Sequence, residues 1–411
     1  MYVIVGLGAA GASAAAELRR LDPGRPVVAV TAETDAFYSR IDLPDVIAGK
    51  LSPEDAERQG FGQFGDQGVV CRPGDPVVEV RPAEKTVVLA SGDSLAYSKL
   101  LLATGSQPVI PKIPGAGALG VFTLWTMDDA RQLAAQAAAA KRAVVVGAGL
   151  IGLKTALALR KRGIVVSVIE RLPWLLPRQL DEAAARVVAA ALAAEGIKVY
   201  AGYQVEEVET SRGQVCGVIV DGRPFPCEMA VMAVGVRPNT ALAAAAGLKV
   251  ERGIVVNEYL ATSDKDIYAA GDAAEVRDLV TGEPIVPAIW PAAVEQGLAA
   301  ARNMAGLGTV YDGAAAMNAV EIAGVPIVSV GEVNAAPGDD VAAAAGPGWY
   351  RKVIVRDGVL RGVICVGDIR QAGVLSGLCR KRAETGLAAA ELLSPGFGFG
   401  RLTVISGSIR G

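Results

Sequence analysis

Two segments of the chain repeat one pattern of apolar, glycine-rich and alanine-rich residues. In the first segment, the apolar run Tyr2–Val5 leads through glycines into the alanine-rich stretch Ala9–Arg20, and another apolar run follows at Val27–Val30. The apolar runs have the length of buried strands, and the alanine-rich stretch has the length and composition of a helix. The pattern predicts a strand–helix–strand unit of about 30 residues with parallel strands.

The same unit recurs in the middle of the chain. The apolar run Ala143–Val146 is followed by a second glycine loop, a helix that is predicted to end at Arg162, and the apolar run Val165–Ile169. Gly163 follows the predicted helix and favours its termination, because glycine readily adopts the left-handed conformation that closes many helices. The repeat predicts an internal duplication of one α/β unit.

The residues around these units predict further short elements. Pro108 to Gly117 is rich in proline and glycine and is predicted to be a linker, and Thr126-x-x-Asp129 is typical of a helix start. Strands are predicted at Val69–Val70, Val77–Val80, Thr86–Leu89, Leu100–Ala103, Met229–Val234 and Ile267–Ala270, and helices at Asp181–Glu195 and Ala292–Ala305.

The C-terminal part of the chain has a different pattern. Two apolar runs, Val353–Arg356 and Val359–Cys365, are separated by Asp357-Gly358. This dipeptide supplies the positive φ angles of a tight hairpin turn, so the pattern predicts an antiparallel pair of strands. We therefore expect a separate α+β domain at this end of the chain.

Composition and charge narrow the function classes. The 411 residues carry 40 basic and 43 acidic side chains, a formal net charge of −3, so no nucleic-acid footprint is expected. No run of about 18 uncharged apolar residues exists, which predicts no membrane span. The first predicted strand begins at Tyr2 and leaves no room for a signal peptide, which favours a cytoplasmic protein.

The chain contains no histidine and five scattered cysteines. The lack of histidine excludes a serine–histidine triad, a histidine-ligated metal and an imidazole acid or base. No two cysteines form a C-x-x-C pair, so iron–sulfur, zinc and thioredoxin-type sites have no support, and no metal site is predicted.

Each predicted unit contains a complete glycine fingerprint. The two fingerprints are Gly6-x-Gly8-x-x-Gly11 and Gly147-x-Gly149-x-x-Gly152. Such a loop lets the backbone approach a pyrophosphate, and the following helix offers free N–H groups and the positive end of its dipole. Two loops in this context predict two bound dinucleotides, and Ala10 and Ile151, beside the third glycines, are further expected contacts. The alternative is tight strand–helix packing without a ligand.

An acidic residue closes the second unit. Glu170 lies about 20 residues past the second loop, where a carboxylate accepts hydrogen bonds from the adenosine ribose hydroxyls and repels a 2′-phosphate. This favours NADH over NADPH, although Arg171 follows directly and can tolerate a phosphate. In the first unit, Thr31 occupies the corresponding place and Glu33 lies two residues further on, so we choose Glu33 as the ribose ligand. The alternative for Glu170 is a solvated charge at the end of a strand.

Five ordered motifs carry a resemblance to a known family. Besides the two loops, they are Ala103-Thr104-Gly105, Ala233–Asn239 and Ile267–Asp272. Their order and spacing over residues 1–310 resemble the two-dinucleotide-binding-domain flavoproteins, the pyridine nucleotide-disulfide oxidoreductase superfamily. The resemblance implies FAD at the Gly6 loop and NADH at the Gly147 loop. It also implies an α/β fold of two Rossmann-like three-layer domains, followed by the C-terminal α+β domain.

The resemblance also implies the domain boundaries. The FAD-binding domain would consist of residues 1–115 and 240–310, interrupted by an NAD-binding domain of residues 116–239. Residues 311–411 would form the C-terminal domain and serve as a homodimer or partner interface. Segments such as Tyr350-Arg351-Lys352 are similar to small C-terminal domains of related reductases.

The loop Phe37–Pro44 narrows the resemblance within the superfamily. It is similar to the loop of NAD(P)H:rubredoxin reductases, ferredoxin reductases and the flavin part of NADH nitrite reductases. The resemblance places Arg40 at the AMP half of FAD and Asp272 at the ribityl and phosphate region. The other cofactor contacts that we expect are Val78, Thr104, Gly105, Trp290 and Gly235. For Trp290, the alternative is ordinary packing without a cofactor contact.

The redox cysteine of many superfamily members is missing. No cysteine lies between Met1 and Val70, and the peroxidase cysteine would fall at Arg40, so thiol–disulfide chemistry is not expected. The remaining chemistry is hydride transfer from NADH to FAD, followed by electron transfer to a rubredoxin, ferredoxin or other iron–sulfur protein, or to a partner subunit. Two alternatives are an NADH oxidase or diaphorase with a small-molecule acceptor, and an NADH-responsive structural or signalling flavoprotein.

Two charged residues depart from the family pattern. Many relatives have a lysine five residues after the loop arginine and a glutamate two residues after the third glycine of the NAD loop, whereas this chain has Asp45 and Lys154. The exchanged signs predict an Asp45–Lys154 ion pair at the hydride-transfer site, where Lys154 would stabilise the negative charge of the reduced flavin. The alternative is two unrelated surface charges.

Overall fold

Two parallel sheets of five strands form the centres of the two repeated units. The computed structural model describes residues 1–398, in which strands are numbered β1–β28 and helices α1–α10 in chain order. The central strands are almost completely buried runs of mainly valine, leucine and isoleucine, as expected for parallel strands that are covered on both faces. In the second sheet, helices cover one face and antiparallel strands cover the other. Local strand propensity and burial therefore agree in both units.

The first sheet has the strand order β21-β9-β1-β2-β5. All of its pairings are parallel. Its strands are β1 (Tyr2–Val5), β2 (Val27–Thr31), β5 (Val69–Pro73), β9 (Lys99–Leu102) and β21 (Ile267–Ala269).

The second sheet repeats this arrangement with the order β11-β18-β12-β13-β14, again with parallel pairings. Its central strand, β12, corresponds to β1. Its edge strand β11 precedes the second unit in the chain, whereas β21, the strand at the same edge of the first sheet, follows the second unit. The first unit is thus completed only after the chain has passed through the second. Its strands are β11 (Val121–Phe122), β12 (Arg142–Val146), β13 (Val165–Glu170), β14 (Lys198–Ala201) and β18 (Met229–Met232).

Helices cover the sheets, and two of them begin directly at the glycine loops. These two are α1 (Ala9–Leu21) and α5 (Leu150–Lys161). The other helices are α2 (Leu43–Ile47), α3 (Phe61–Asp66), α4 (Met127–Ala137), α6 (Glu182–Ala194), α7 (Ala241–Ala245), α8 (Trp290–Met304), α9 (Ala372–Arg380) and α10 (Ala389–Leu392).

Smaller groups of short strands, most of them paired antiparallel, connect these layers. The strands β10 (Ser106–Pro108) and β19 (Val236–Pro238) pair where the chain leaves the first unit and where it returns to it. We call this pair the crossover ribbon. The remaining small strands are β3 (Phe37–Tyr38), β4 (Glu57–Gln59), β6 (Val77–Arg81), β7 (Thr86–Leu89), β8 (Ser94–Ala96), β15 (Val205–Ser211), β16 (Gln214–Val220), β17 (Arg223–Pro226), β20 (Ile254–Val255), β22 (Ala274–Arg277) and β23 (Pro284–Ile285).

The C-terminal part forms an antiparallel sheet that packs with α9 and α10. The predicted hairpin is confirmed, because Asp357 and Gly358 have φ angles of 52° and 74° between two paired strands. Residues 399–411 of the predicted C-terminal domain lie outside the described residues. The strands are β24 (Met317–Ile322), β25 (Val325–Gly331), β26 (Asp340–Gly346), β27 (Trp349–Arg356) and β28 (Val359–Val366), in the order β24-β25-β28-β27-β26.

The C-terminal sheet packs on the second unit through a shared apolar core. Buried residues of the sheet, including Ile327 and Ile364, belong to the same cluster as Val188 of α6. Asp181, which caps α6, accepts hydrogen bonds from the Tyr350 hydroxyl at 2.9 Å and the Lys352 ammonium at 3.0 Å. These contacts hold the sheet beside the second unit.

The predicted α/β fold class is confirmed, and the differences concern the ends of elements. The α8 helix begins at Trp290 rather than at Ala292, because Pro291 occupies the first turn, where it needs no hydrogen-bond partner for its nitrogen. β18 ends at Met232 rather than at Val234, since the chain then turns away through Gly235, whose φ angle is +121°. The predicted capping arrangement of Thr126 is confirmed, with its hydroxyl accepting from the Asp129 N–H at 3.1 Å.

Within residues 1–398, none of the helices combines the length and the apolar character that a membrane crossing requires.

Candidate active site

The two glycine loops have the same geometry at their first and third positions. A Cβ atom on Gly6 would lie 2.1 Å from the Ala103 carbonyl oxygen, and one on Gly147 would lie 2.3 Å from that of Ala233. The third glycine of each loop is equally restricted, because a Cβ there would lie 1.9 Å or 2.1 Å from the carbonyl oxygen of the first. These glycines allow the strand, the loop and the helix to pack closely.

The middle glycines meet a different environment. No protein atom lies within 4 Å of a Cβ built on Gly8 or on Gly149. Both have extended backbone angles that any residue can adopt, so the protein itself does not require glycine at these positions. The space that they leave faces the first turns of α1 and α5, where free N–H groups bind phosphate. Both loops therefore fit the pyrophosphate of a dinucleotide.

Ala10 and Ile151 occupy corresponding positions in the two helices. Ala10 is buried, and α8 packs directly over it, since a Cβ on Gly297 would lie 2.2 Å from the Ala10 carbonyl oxygen. Ile151 is half-buried and leaves part of its side chain accessible beside the second loop. The α8 helix thus covers Ala10 in the first turn of α1, whereas part of Ile151 in the first turn of α5 stays accessible.

Glu170 lies at the end of β13 and reaches the second loop. Its carboxylate accepts hydrogen bonds from the backbone N–H groups of Ala148 and Leu172, both at 2.8 Å. These bonds fix the carboxylate beside the loop, where the adenosine ribose of a dinucleotide binds. Arg171 is exposed next to it. In the first unit, Thr31 occupies the position of Glu170, at the end of β2, and its hydroxyl oxygen accepts a hydrogen bond from the Glu33 N–H at 3.2 Å.

Glu33 and Arg40 form an ion pair at the first site. The Arg40 guanidinium contacts the Glu33 carboxylate at 2.6 Å and also donates to the carbonyl oxygen of Trp125. The Tyr38 hydroxyl donates to Glu33 and accepts from the Met127 N–H at 3.0 Å. The sequence pattern did not indicate a role for Tyr38, although this residue lies in the loop Phe37–Pro44. The cluster connects the first site to the beginning of α4, which belongs to the second unit.

Asp272 lies in a short helical turn that follows β21. The Ser106 hydroxyl donates to its carboxylate at 2.8 Å. Burial raises the pKa of the Asp272 carboxyl, while the Ser106 hydrogen bond and the positive charge of Arg40 lower it. The turn is held by the fully buried Gln296, whose side-chain oxygen accepts from the Gly271 N–H at 2.7 Å. Ser106 and Gln296 were not predicted, because neither belongs to a motif and both act through distant residues.

The remaining predicted contacts lie on different elements. Thr104, Gly105 and Gly235 precede the two strands of the crossover ribbon, and a Cβ on either glycine would meet nothing within 4 Å. Trp290 begins α8 and stacks on Phe37 with the ring centroids 5.6 Å apart. Val78 lies on β6 with 57% of its surface exposed. The packing alternative for Trp290 is thus supported in part, since one face of its ring is used by Phe37.

Asp45 and Lys154 line the same cleft but are not paired with each other. The cleft has a volume of about 250 Å³ and lies between α2, α5 and the β24–β25 turn. The carboxylate of Asp45 lies 3.5 Å from the ammonium of Lys50, and no ion pair within the described part of the chain joins it to Lys154. Lys50 is close because the chain turns back after α2, with the Lys50 N–H donating to the Asp45 carbonyl at 2.9 Å. The predicted direct ion pair is thus not formed.

The five cysteines lie away from the glycine loops, and none of them forms a disulfide. Burial raises the pKa of Cys227 and of Cys365 to about 11 and that of Cys379 to about 12. Burial also raises the pKa of Cys71. These four thiols stay protonated at neutral pH and are poor nucleophiles.

The chain is similar in sequence to other proteins over most of its length. The chain is 32% identical over 401 residues to an assimilatory nitrate reductase electron transfer subunit of Bacillus subtilis, covering 96% of this chain and 51% of the relative. It spans only about half the length of that relative. It is also 32% identical over 388 residues to the epsilon subunit of an NADH-dependent phenylglyoxylate dehydrogenase of Aromatoleum evansii, covering 93% of this chain and 92% of the relative.

A solved structure and a family match add to these similarities. The ferredoxin reductase of the CYP199A2 system from Rhodopseudomonas palustris superposes with a TM-score of 0.88 at 27% identity, covering 97% of this chain and 98% of that chain. Residues 1–297 match the family described as pyridine nucleotide-disulphide oxidoreductase. The predicted family, enzyme class and cofactors are thereby confirmed. The chain therefore belongs to the pyridine nucleotide-disulphide oxidoreductase family, and it is an NAD(P)H-dependent flavoprotein oxidoreductase with FAD and NADH as its cofactors.

Proposed function

We propose that this chain transfers hydride from NADH to FAD and passes the electrons to a rubredoxin- or ferredoxin-type protein or to a partner subunit. The observation that carries the proposal is the pair of equivalent loops, each open at its middle glycine, in a site without a thiol. When bound, FAD supplies the redox chemistry of the reaction. The protein has to place the two rings against each other and shield them.

The residues at the two loops support a division of labour. The Gly6 loop, Glu33, Arg40 and Asp272 would hold FAD, in a domain of residues 1–115 and 240–310. The Gly147 loop and Glu170 would hold NADH, in a domain of residues 116–239. The Glu170 carboxylate lies beside the loop and would repel the 2′-phosphate of NADPH. Residues 311–411 would form the interface domain, and we propose a cytoplasmic location.

The choice of acceptor rests on the proteins that this chain resembles. Within the described residues, no cluster of side chains is present that could hold a metal ion. The relatives include a ferredoxin reductase, an electron transfer subunit of a nitrate reductase and a subunit of an NADH-dependent dehydrogenase. These descriptions support a protein acceptor over a small molecule.

Anaerobic reduction followed by an acceptor panel tests the proposal. The purified protein is expected to be yellow, to bleach with NADH, and to turn over with ferredoxin or rubredoxin at about 10 per second, a typical enzymatic rate. Turnover with oxygen should be at least about tenfold slower. Equal or faster turnover with oxygen would favour the oxidase alternative. Slow turnover with every acceptor, together with NADH-dependent oligomerisation, would favour the signalling alternative.

Asp45 and Lys154 stay proposed catalytic residues. Lys154 is the fifth residue of α5, two positions after the third glycine, and its ammonium is not engaged in an ion pair within the described part of the chain. A free ammonium near the ring of FAD would supply positive potential where negative charge develops. Asp45, already bound to Lys50, would limit that potential across the cleft.

Replacing Lys154 by methionine tests this role. We expect the rate of flavin reduction by NADH to fall about ten- to hundredfold, because a unit charge at contact distance contributes on the order of 1–3 kcal/mol in a partly screened site. The midpoint potential of the flavin should also fall. Stopped-flow reduction and redox titration measure the two effects. Lys161→Met is the matched control, since it lines the same cleft two turns further along α5. Equal rates in both variants and the wild type would contradict the proposal.

A further inference from the structure

Asn239 connects the two chain crossovers through three hydrogen bonds to Thr104 and Gly105. Its side-chain amide donates to the Thr104 carbonyl oxygen at 2.9 Å, and its backbone N–H donates to the Gly105 carbonyl oxygen at 2.9 Å. Its own carbonyl oxygen accepts from the Thr104 hydroxyl at 2.7 Å. One residue at the return crossover thus holds both residues at the outgoing crossover.

The crossover ribbon joins the parts of the backbone that face the two cofactors. β10 follows Thr104 and Gly105, which are expected beside FAD, and β19 follows Gly235, which is expected beside NADH. A further bond runs in the opposite direction, from the Val109 N–H to the Gly235 carbonyl oxygen at 2.9 Å. This short ribbon therefore links the two cofactor-facing segments directly through the backbone.

The two units also share apolar packing through α2 and α5, but the contacts of Asn239 lie outside it. Asn239 and Thr104 are only half-buried, and neither belongs to an apolar core. A Cβ built on Gly105 or on Gly235 would meet nothing within 4 Å, so no packed group restrains these glycines from that side. The side-chain amide of Asn239 is the contact that a change of residue can remove without creating a cavity in either core.

We infer that Asn239 is a positioning residue for hydride transfer: its contacts with Thr104 and Gly105 hold the FAD-facing backbone in register with the NADH-facing backbone at Gly235. The inference rests on the proposed function, because it concerns the distance between the two rings. An error of about 1 Å in such a distance can lower a rate a hundredfold, even where binding is intact. Asn239 would act on the rate of reduction and leave cofactor affinity unchanged.

The test compares Asn239→Ala and Asn239→Asp with the wild type. Aspartate keeps the shape but cannot donate to the Thr104 carbonyl oxygen, so it also serves if alanine loosens the fold. The expected result is a limiting rate of flavin reduction that is at least about tenfold lower, with unchanged FAD content and a dissociation constant for NADH within about twofold. Amide hydrogen exchange at Val109 and residue 239 should become about tenfold faster in the protein without NADH.

Gln107→Ala is the matched control. Gln107 is exposed and donates only to the side-chain oxygen of Asn239, at 2.7 Å, so its removal leaves the bond to Thr104 in place. A reduction rate within twofold of wild type in both Asn239 variants, or a lower rate that accompanies lost FAD, would overturn the inference. Failure of the wild-type protein to be reduced by NADH would instead overturn the proposed function.

Discussion

A Gly8→Val protein is expected to fold normally and to contain no FAD. The backbone of Gly8 is extended, with φ −76° and ψ −165°, and valine readily adopts this conformation. Apart from the two adjacent residues, no protein atom lies within 4 Å of a Cβ at this position, so the valine side chain begins in open space. It would fill the space through which the loop backbone approaches the pyrophosphate, and the N–H groups at the start of α1 would lose their phosphate partner.

The expected loss of FAD affinity is about a thousandfold, or about 4 kcal/mol, which corresponds to two or three charge-assisted hydrogen bonds. Flavin absorbance after purification and titration of the apoprotein with FAD measure the loss. Thermal unfolding of the wild-type and Gly8→Val apoproteins is the control for folding, and their unfolding midpoints should agree within about 2 °C. Gly8→Ala, with its smaller side chain, should have a weaker effect. A yellow Gly8→Val protein with normal FAD affinity would place the cofactor elsewhere.

Local pattern predicted the repeated units well, because the determinants of a strand–glycine-loop–helix unit lie close together in the sequence. β1, α1 and β2 and their counterparts β12, α5 and β13 follow from strand length, alanine content and glycine spacing alone. Glycine spacing also predicted the loops themselves, since the first and third glycines satisfy contacts within the same unit and with the adjoining strand. The ends of elements were less accurate, because they depend on where the chain turns away from the sheet.

Side-chain partners could not be predicted in the same way, because they depend on how distant segments pack. Ser106 and Asp272 are 166 positions apart, and Arg40 reaches the Trp125 carbonyl oxygen across 85 positions. No pattern in either segment indicates these contacts. Asp45 illustrates a further difficulty: the sequence suggested a partner on another unit, but the neighbour five residues along the chain forms the ion pair instead.

A Gly149→Val protein should show the opposite phenotype to Gly8→Val: it is expected to be yellow but to react poorly with NADH. The second loop repeats the geometry of the first, with φ −77° and ψ 180° at Gly149 and no protein atom within 4 Å of a Cβ there. Valine would therefore obstruct the pyrophosphate of NADH at α5 and leave the FAD site at α1 intact. The two variants together separate the assignments of the two loops.

We expect the KM for NADH to rise at least about a hundredfold, because the obstructed loop loses about 3 kcal/mol of pyrophosphate binding. Dithionite, which reduces flavin without a dinucleotide site, should bleach the variant as completely as the wild type, and this is its internal control. Steady-state kinetics and anaerobic titration provide the measurements. If Gly149→Val loses FAD while Gly8→Val keeps it, the two loops have exchanged cofactors. If Gly149→Val reacts with NADH at the wild-type KM, the second loop does not bind the nucleotide, and the duplication of the unit would then have only a structural role.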